Sequence, residues 1–129
     1  MRQLLPRGWP EPRGYSNGVE AEGRHVFVAG MIGWDTEGQF VDGFAGQMRQ
    51  ALENTVAVLA EAGAGPADVV RMTWYVTDLD AYRDNLREIG TAYRDVMGKH
   101  FPAMAVVGVS GLVERDALVE IESTAVLRE

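Results

Sequence analysis

The chain contains no cysteine and a single lysine, Lys99. The first absence excludes a disulfide framework, a thiol nucleophile and a thiolate metal site, and it suits a reducing compartment. The second, with a net charge of −7 and a pI near 4.8, argues against a nucleic-acid partner, because phosphate neutralisation needs clustered lysine and arginine. Histidine is scarce: His25 and His100 lie far apart, without metal-ligand spacing or a carboxylate cluster, so no metal is expected. No apolar run approaches membrane-spanning length, and the opening MRQLLPRGWPEPRG has two consecutive leucines before Pro6, far short of a signal-peptide core. A soluble cytoplasmic protein with no membrane partner is the expectation. Phosphate loops are missing too, since GAG at 63–65 follows no strand and lacks the remaining glycine. Ser16, Ser110 and Ser123 stand in no nucleophile-elbow context.

What is present fits one core. With 129 residues and 47% hydrophobic content, the chain divides into an extended arm at 1–14, which holds three of the five prolines, and a single domain at 15–129. Tyr15 to Glu20 and His25 to Ile32 read as two strands of a hairpin. Phe44, Met48, Leu52, Thr55, Val56, Leu59 and Ala62 recur at three- and four-residue spacing, with Gln47 and the charged residues mostly elsewhere, which predicts an amphipathic helix ended by Gly63. DVVRMTWYVTD is a largely buried strand. Thr77 or Asp78 caps a second helix with a stripe of Tyr82, Leu86, Ile89, Tyr93 and Val96 or Met97, stopped by Gly98. Strands at 103–109 and 117–126 complete the order.

Two helices and a mixed sheet make an α/β (α+β) domain with the helices on one sheet face, and an oligomer is expected to cover the other. In DALVEIESTAV, alternation places Val119, Ile121, Ser123 and Ala125 on a core face and Leu118, Glu120, Glu122, Thr124 and Val126 on the opposite one. From the pattern alone, Glu120 either reaches water on a solvated face or lines a cavity.

Six segments then carry a resemblance: YSNGV, VFVAGMIGWD, QALENTVAVLAEAGA, DVVRMTWYVTDLDAY, FPAMAVVGV and ALVEIESTAV. In that order, over about 110 residues, they resemble the reactive-intermediate deaminase (Rid, or YjgF) family. The resemblance implies a chorismate-mutase-like homotrimer with small-molecule ligand sites in the clefts between subunits. It also implies cofactor-free hydrolysis of imines and enamines with release of ammonia. Tyr15 matches a cleft tyrosine, Gly30 the glycine whose backbone approaches the ligand, and Glu120 the glutamate that holds the catalytic water. Glu122 remains structural or solvated on this reading.

Departures from the family pattern are specific. The P-A-R tripeptide whose arginine clamps the substrate carboxylate is Pro102, Ala103, Met104. A cleft serine is Ala29, the following glutamine is Met31, and an asparagine of the second helix is Gly90. The implied cleft, with Met31, Trp34 and Met104 as apolar wall, suits a larger or less charged ligand unless Arg24 or Arg115 supplies the anion anchor. Three functions stay open: an imine or enamine hydrolase of altered specificity, a non-catalytic ligand-binding or protein-protecting trimer, and an endoribonuclease or translation inhibitor.

Overall fold

In the computed structural model, which describes residues 1–128, the helical period and the strand alternation become elements in the expected order. These are β1 (Arg2–Gln3), β2 (Val19–Glu20), β3 (Arg24–Ile32), α1 (Phe44–Glu61), β4 (Val69–Val76), α2 (Leu79–Asp84), α3 (Leu86–Met97), β5 (Ala103–Gly108) and β6 (Val119–Leu127). The main sheet has the order β3-β6-β4-β5. Strand β6 is antiparallel to both β3 and β4, and β4 runs parallel to β5, reached through the helical crossover.

The α1 stripe is as the spacing predicts: Phe44, Met48, Leu52, Thr55 and Leu59 are buried. They meet Met72, Trp74 and Val76 of β4, Val119, Ile121 and Ala125 of β6, and Ile89, Tyr93 and Met97 of α3 in one core. Each fully buried side chain of this size contributes about 1.5–3 kcal/mol relative to exposure. Thr55 satisfies its buried hydroxyl by donating to the Ala51 carbonyl at 2.9 Å.

Gln47 departs from its expected polar position and is buried. Its Nε2 donates to the Asp116 carbonyl at 3.0 Å, and its Oε1 accepts from the Leu118 amide at 2.8 Å. One side chain thus clamps the chain entering β6, using both ends of an amide that would otherwise be costly to bury.

Two expectations change. No hairpin joins β2 to β3; Val19–Glu20 pairs instead with Arg2–Gln3, and Arg2 Nε holds Glu20 Oε2 at 2.8 Å. Alternation marks a strand without naming its partner, and a polar two-residue strand has little buried pattern to select one. The second helix is also broken. Asn85 leaves helical geometry at φ −120° and ψ 25°, and its Nδ2 donates to the Ala81 carbonyl at 2.6 Å, a local bond that competes with the helix ladder. Leu86 is consequently 56% exposed, while Ile89, Tyr93 and Met97 keep to the core. Asp78, not Thr77, caps α2 by accepting from the Asp80 amide at 3.0 Å.

Candidate functional site

The uncovered sheet face holds the first half of the candidate site. Glu120 lies opposite Ile32 on β3 and Tyr75 on β4. Between the pairs Val28–Ser123 and Met31–Ile121 the register shifts, so Ala29 and Gly30 together face the single position of Glu122. This is a β-bulge, which frees backbone from the ladder and re-aims what stands beside it. The lack of a side chain at Gly30 leaves room for the carboxylate where it lies: a Cβ there would sit 2.6 Å from both Cδ and Oε2 of Glu120. The carboxylate therefore lies directly over the side-chain-free bulge, and among the described residues no side chain or amide hydrogen-bonds to it.

Glu122, two residues on, is occupied. Tyr75 Oη donates to its Oε1 at 2.6 Å. That bond raises the Tyr75 phenol above its ordinary value; burial and the negative charges of Glu122 and Glu120 add to the shift, and Arg71 opposes it. The strand alternation could not separate the two glutamates. The diagonal reach of Tyr75 does: it pairs with Glu120 in register, but its hydroxyl donates across to Glu122, which pairs with Thr73.

A second group gathers on the other side of the sheet. Met104 pairs with Met72, whose side chain is buried in the core, so Met104 faces the helices rather than Glu120. It lines a cleft of about 260 Å³ with Trp74, Tyr82, Tyr93 and Phe101, and Gly90 of α3 borders the same space. The aromatic rings brace one another: Tyr93 stacks on Phe101 at 5.6 Å, and Trp74 meets Tyr82 edge-on at 6.2 Å. Burial pushes the Tyr82 and Tyr93 phenols up, and Tyr93 donates to the His100 carbonyl at 2.6 Å. The indole Nε1 of Trp74 is buried without an acceptor among the described residues. Arg13 and Arg94 also border this cleft, and the sequence reading passed over both. The one available signal was the four-residue spacing of Gly90 and Arg94, which puts them on one helix face.

Tyr15 belongs near this second group. The Ser16 hydroxyl donates to the Phe101 carbonyl, its amide donates to the Pro102 carbonyl at 3.0 Å, and Ser16 bridges to Ala103. Tyr15 is thereby fixed beside the entry to β5, where it lines a shallow pocket of about 160 Å³ that shares Phe101 with the cleft. Met31 joins neither group: it sits opposite Ile121 and packs against the core. Trp34 lies in the loop after β3, with its ring 5.7 Å from that of Phe40, in a depression bordered by Asp42, Glu114 and Asp116. Arg24 donates to the Ala62 carbonyl at 3.1 Å, and Arg115 lies in an exposed turn; neither borders the cleft. Among the described residues no three acidic or histidine side chains form a group that could hold a metal ion, and no helix is long and apolar enough to cross a membrane.

The chain is similar to known proteins over nearly its whole length. The family model described as Endoribonuclease L-PSP matches residues 10–127. A RutC family protein of Aquifex aeolicus is 40% identical, over 98% of this chain and 99% of its own. The 2-iminobutanoate/2-iminopropanoate deaminase of Salmonella typhimurium is 33% identical, over 88% of each chain. The crystal structure of the Rid family protein YyfB from Yersinia pestis superposes with a TM-score of 0.84 at 35% identity, over 98% of both chains. The fold is the mixed, chorismate-mutase-like α+β arrangement of these proteins, and the chain belongs to the Rid (YjgF, L-PSP endoribonuclease) family.

Proposed function

We propose that this protein is a cofactor-free hydrolase of imines or enamines that releases ammonia and works as a cytoplasmic homotrimer. The observation that carries the reading is the half-buried carboxylate of Glu120, held over the Gly30 bulge without a hydrogen-bond partner among the described residues. The names of its deaminase relatives point to the same class of chemistry. Glu120 takes a proton from a bound water as the water oxygen bonds to the imine carbon and the C=N pair moves onto nitrogen. Glu120 returns that proton to nitrogen, giving a carbinolamine; it then takes the carbinolamine hydroxyl proton and passes it to the amine as the C=O forms and the C–N bond breaks, so that ammonia leaves a carbonyl product. Backbone freed from the ladder by the bulge, at Ala29 and Gly30, lies where it could orient the reacting atoms.

The two half-sites occupy opposite faces of one sheet, which supports a site completed by a second subunit. One copy would bring Glu120 and Gly30, and the next Tyr15, Gly90 and Met104. The uncovered face also carries Phe27, 75% exposed, and Val107, 40% exposed, an apolar surface that a partner subunit would cover. The aromatic and thioether wall around Met104 favours a bulky enamine over a small α-imino acid.

Ammonia release from imines generated in situ, aromatic and aliphatic, tests the reading alongside sedimentation of the same sample. A trimer is expected whose turnover falls by roughly two to four orders of magnitude in Glu120→Gln. Full activity in that variant would refute the role of Glu120. Saturable ligand binding with no acceleration on any imine would replace the hydrolase with a binding trimer.

A further inference from the structure

The anion anchor missing at Met104 has a candidate on the neighbouring helix. Gly90 and Arg94 share a face of α3, and long helical side chains lean toward the N-terminus, which carries the guanidinium back over Gly90. Arg94 Nη1 lies 3.3 Å, and Nη2 3.9 Å, from the point that a Gly90 Cβ would occupy. A larger residue at position 90 would contest that space. Among the described residues neither the Arg94 guanidinium nor that of Arg13 has a hydrogen-bonded or ion-paired partner, whereas Arg2, Arg49 and Arg83 are paired. In a chain of net charge −7 this cleft has two arginines on its wall and no acidic residue. The buried, acceptor-less indole N–H of Trp74 belongs to the same wall.

We propose that Arg94, seated in the space left by Gly90, is the carboxylate anchor of this cleft, with Arg13 as a second cation at its rim. The ligand class is then an aromatic or long apolar body bearing a carboxylate. The ring lies among Trp74, Tyr82, Tyr93, Phe101 and Met104, and the charge sits on the guanidinium. This deepens the hydrolase reading and rests on it for the identity of the reacting group, but the anchor itself is a binding property.

Phenylacetate and its neutral counterpart phenylacetamide are the probes, titrated calorimetrically into the full-length protein and into Arg94→Met, Arg94→Lys and Arg13→Met. Arg94 is exposed on α3, so these variants are expected to fold, and circular dichroism checks that they do. The wild type should bind the acid about tenfold more tightly than the amide, the worth of one charge-assisted bond. Arg94→Met should abolish the preference, Arg94→Lys should retain part of it, and Arg13→Met should only weaken it. Equal affinity for acid and amide, no binding of phenylacetate, or a preference lost in Arg13→Met but intact in Arg94→Met would each overturn the assignment. Binding is read without turnover, so a failed ammonia assay leaves this result standing, and a failed titration leaves Glu120-dependent hydrolysis standing.

Discussion

Replacing Gly30 with alanine separates the proposed catalytic geometry from stability more sharply than removing Glu120 does. The added Cβ would lie 2.6 Å from the Glu120 carboxylate, against an ordinary carbon contact of about 3.5 Å, so the carboxylate must move by roughly 1 Å. The atoms met are the far end of a flexible side chain, and Gly30 does not have a positive φ, so the backbone accepts alanine without strain. Reduced freedom in the unfolded chain should even offset part of the displacement, by about 0.4–1 kcal/mol. Stability is therefore expected to change little, while a 1 Å misplacement of a reacting group lowers turnover by about a hundredfold. Thermal unfolding and ammonia release measured on one preparation give both quantities. Combined with Glu120→Gln, the alanine should add almost nothing further, because both changes act through the same carboxylate. Unchanged turnover in Gly30→Ala, or losses that multiply fully in the double variant, would show that the contact between Gly30 and Glu120 is not part of the chemistry.

The remaining predictions concern the opposite side of the sheet. Met104→Arg should raise hydrolysis of 2-iminobutanoate by about tenfold or more over a slow wild type, in which the short chain leaves the aromatic wall unfilled, since a second charge-assisted bond contributes about 1.5–3 kcal/mol in a partly desolvated cleft; efficient turnover by the unmodified protein would contradict the preference for a bulky body. Stability should fall as pH rises above about 10, the ordinary phenol value, because the folded chain holds the Tyr82 and Tyr93 protons more tightly than the unfolded chain does. The stabilisation is complete below that pH and is lost on moving through the raised folded values. Tyr93→Phe should flatten the alkaline slope in thermal unfolding, and an unaltered slope would assign the effect elsewhere.

The sequence by itself determined the elements and their inward faces, because both follow from local periodicity. The α1 stripe from Phe44 to Leu59 and the alternation of Val119, Ile121, Ser123 and Ala125 are spacing rules that burial enforces residue by residue. It could not choose partners for short polar strands, so Val19–Glu20 went to the N-terminal arm, and it could not weigh the bond from Asn85 to Ala81 that breaks the second helix. Within the candidate site, Glu120, Gly30, Tyr15, Gly90 and Met104 were legible through family resemblance, but resemblance has no geometry. Only the tertiary structure decided that Glu120 and Met104 face opposite sides of one sheet, that Gly30 leaves room for the Glu120 carboxylate, and that Tyr75 occupies Glu122 while leaving its neighbour unpartnered. It alone placed Arg94 over Gly90 and Gln47 beneath the entry to β6. Such contacts join residues far apart in sequence or depend on which way a long side chain folds back, and neither leaves a periodic trace in the chain.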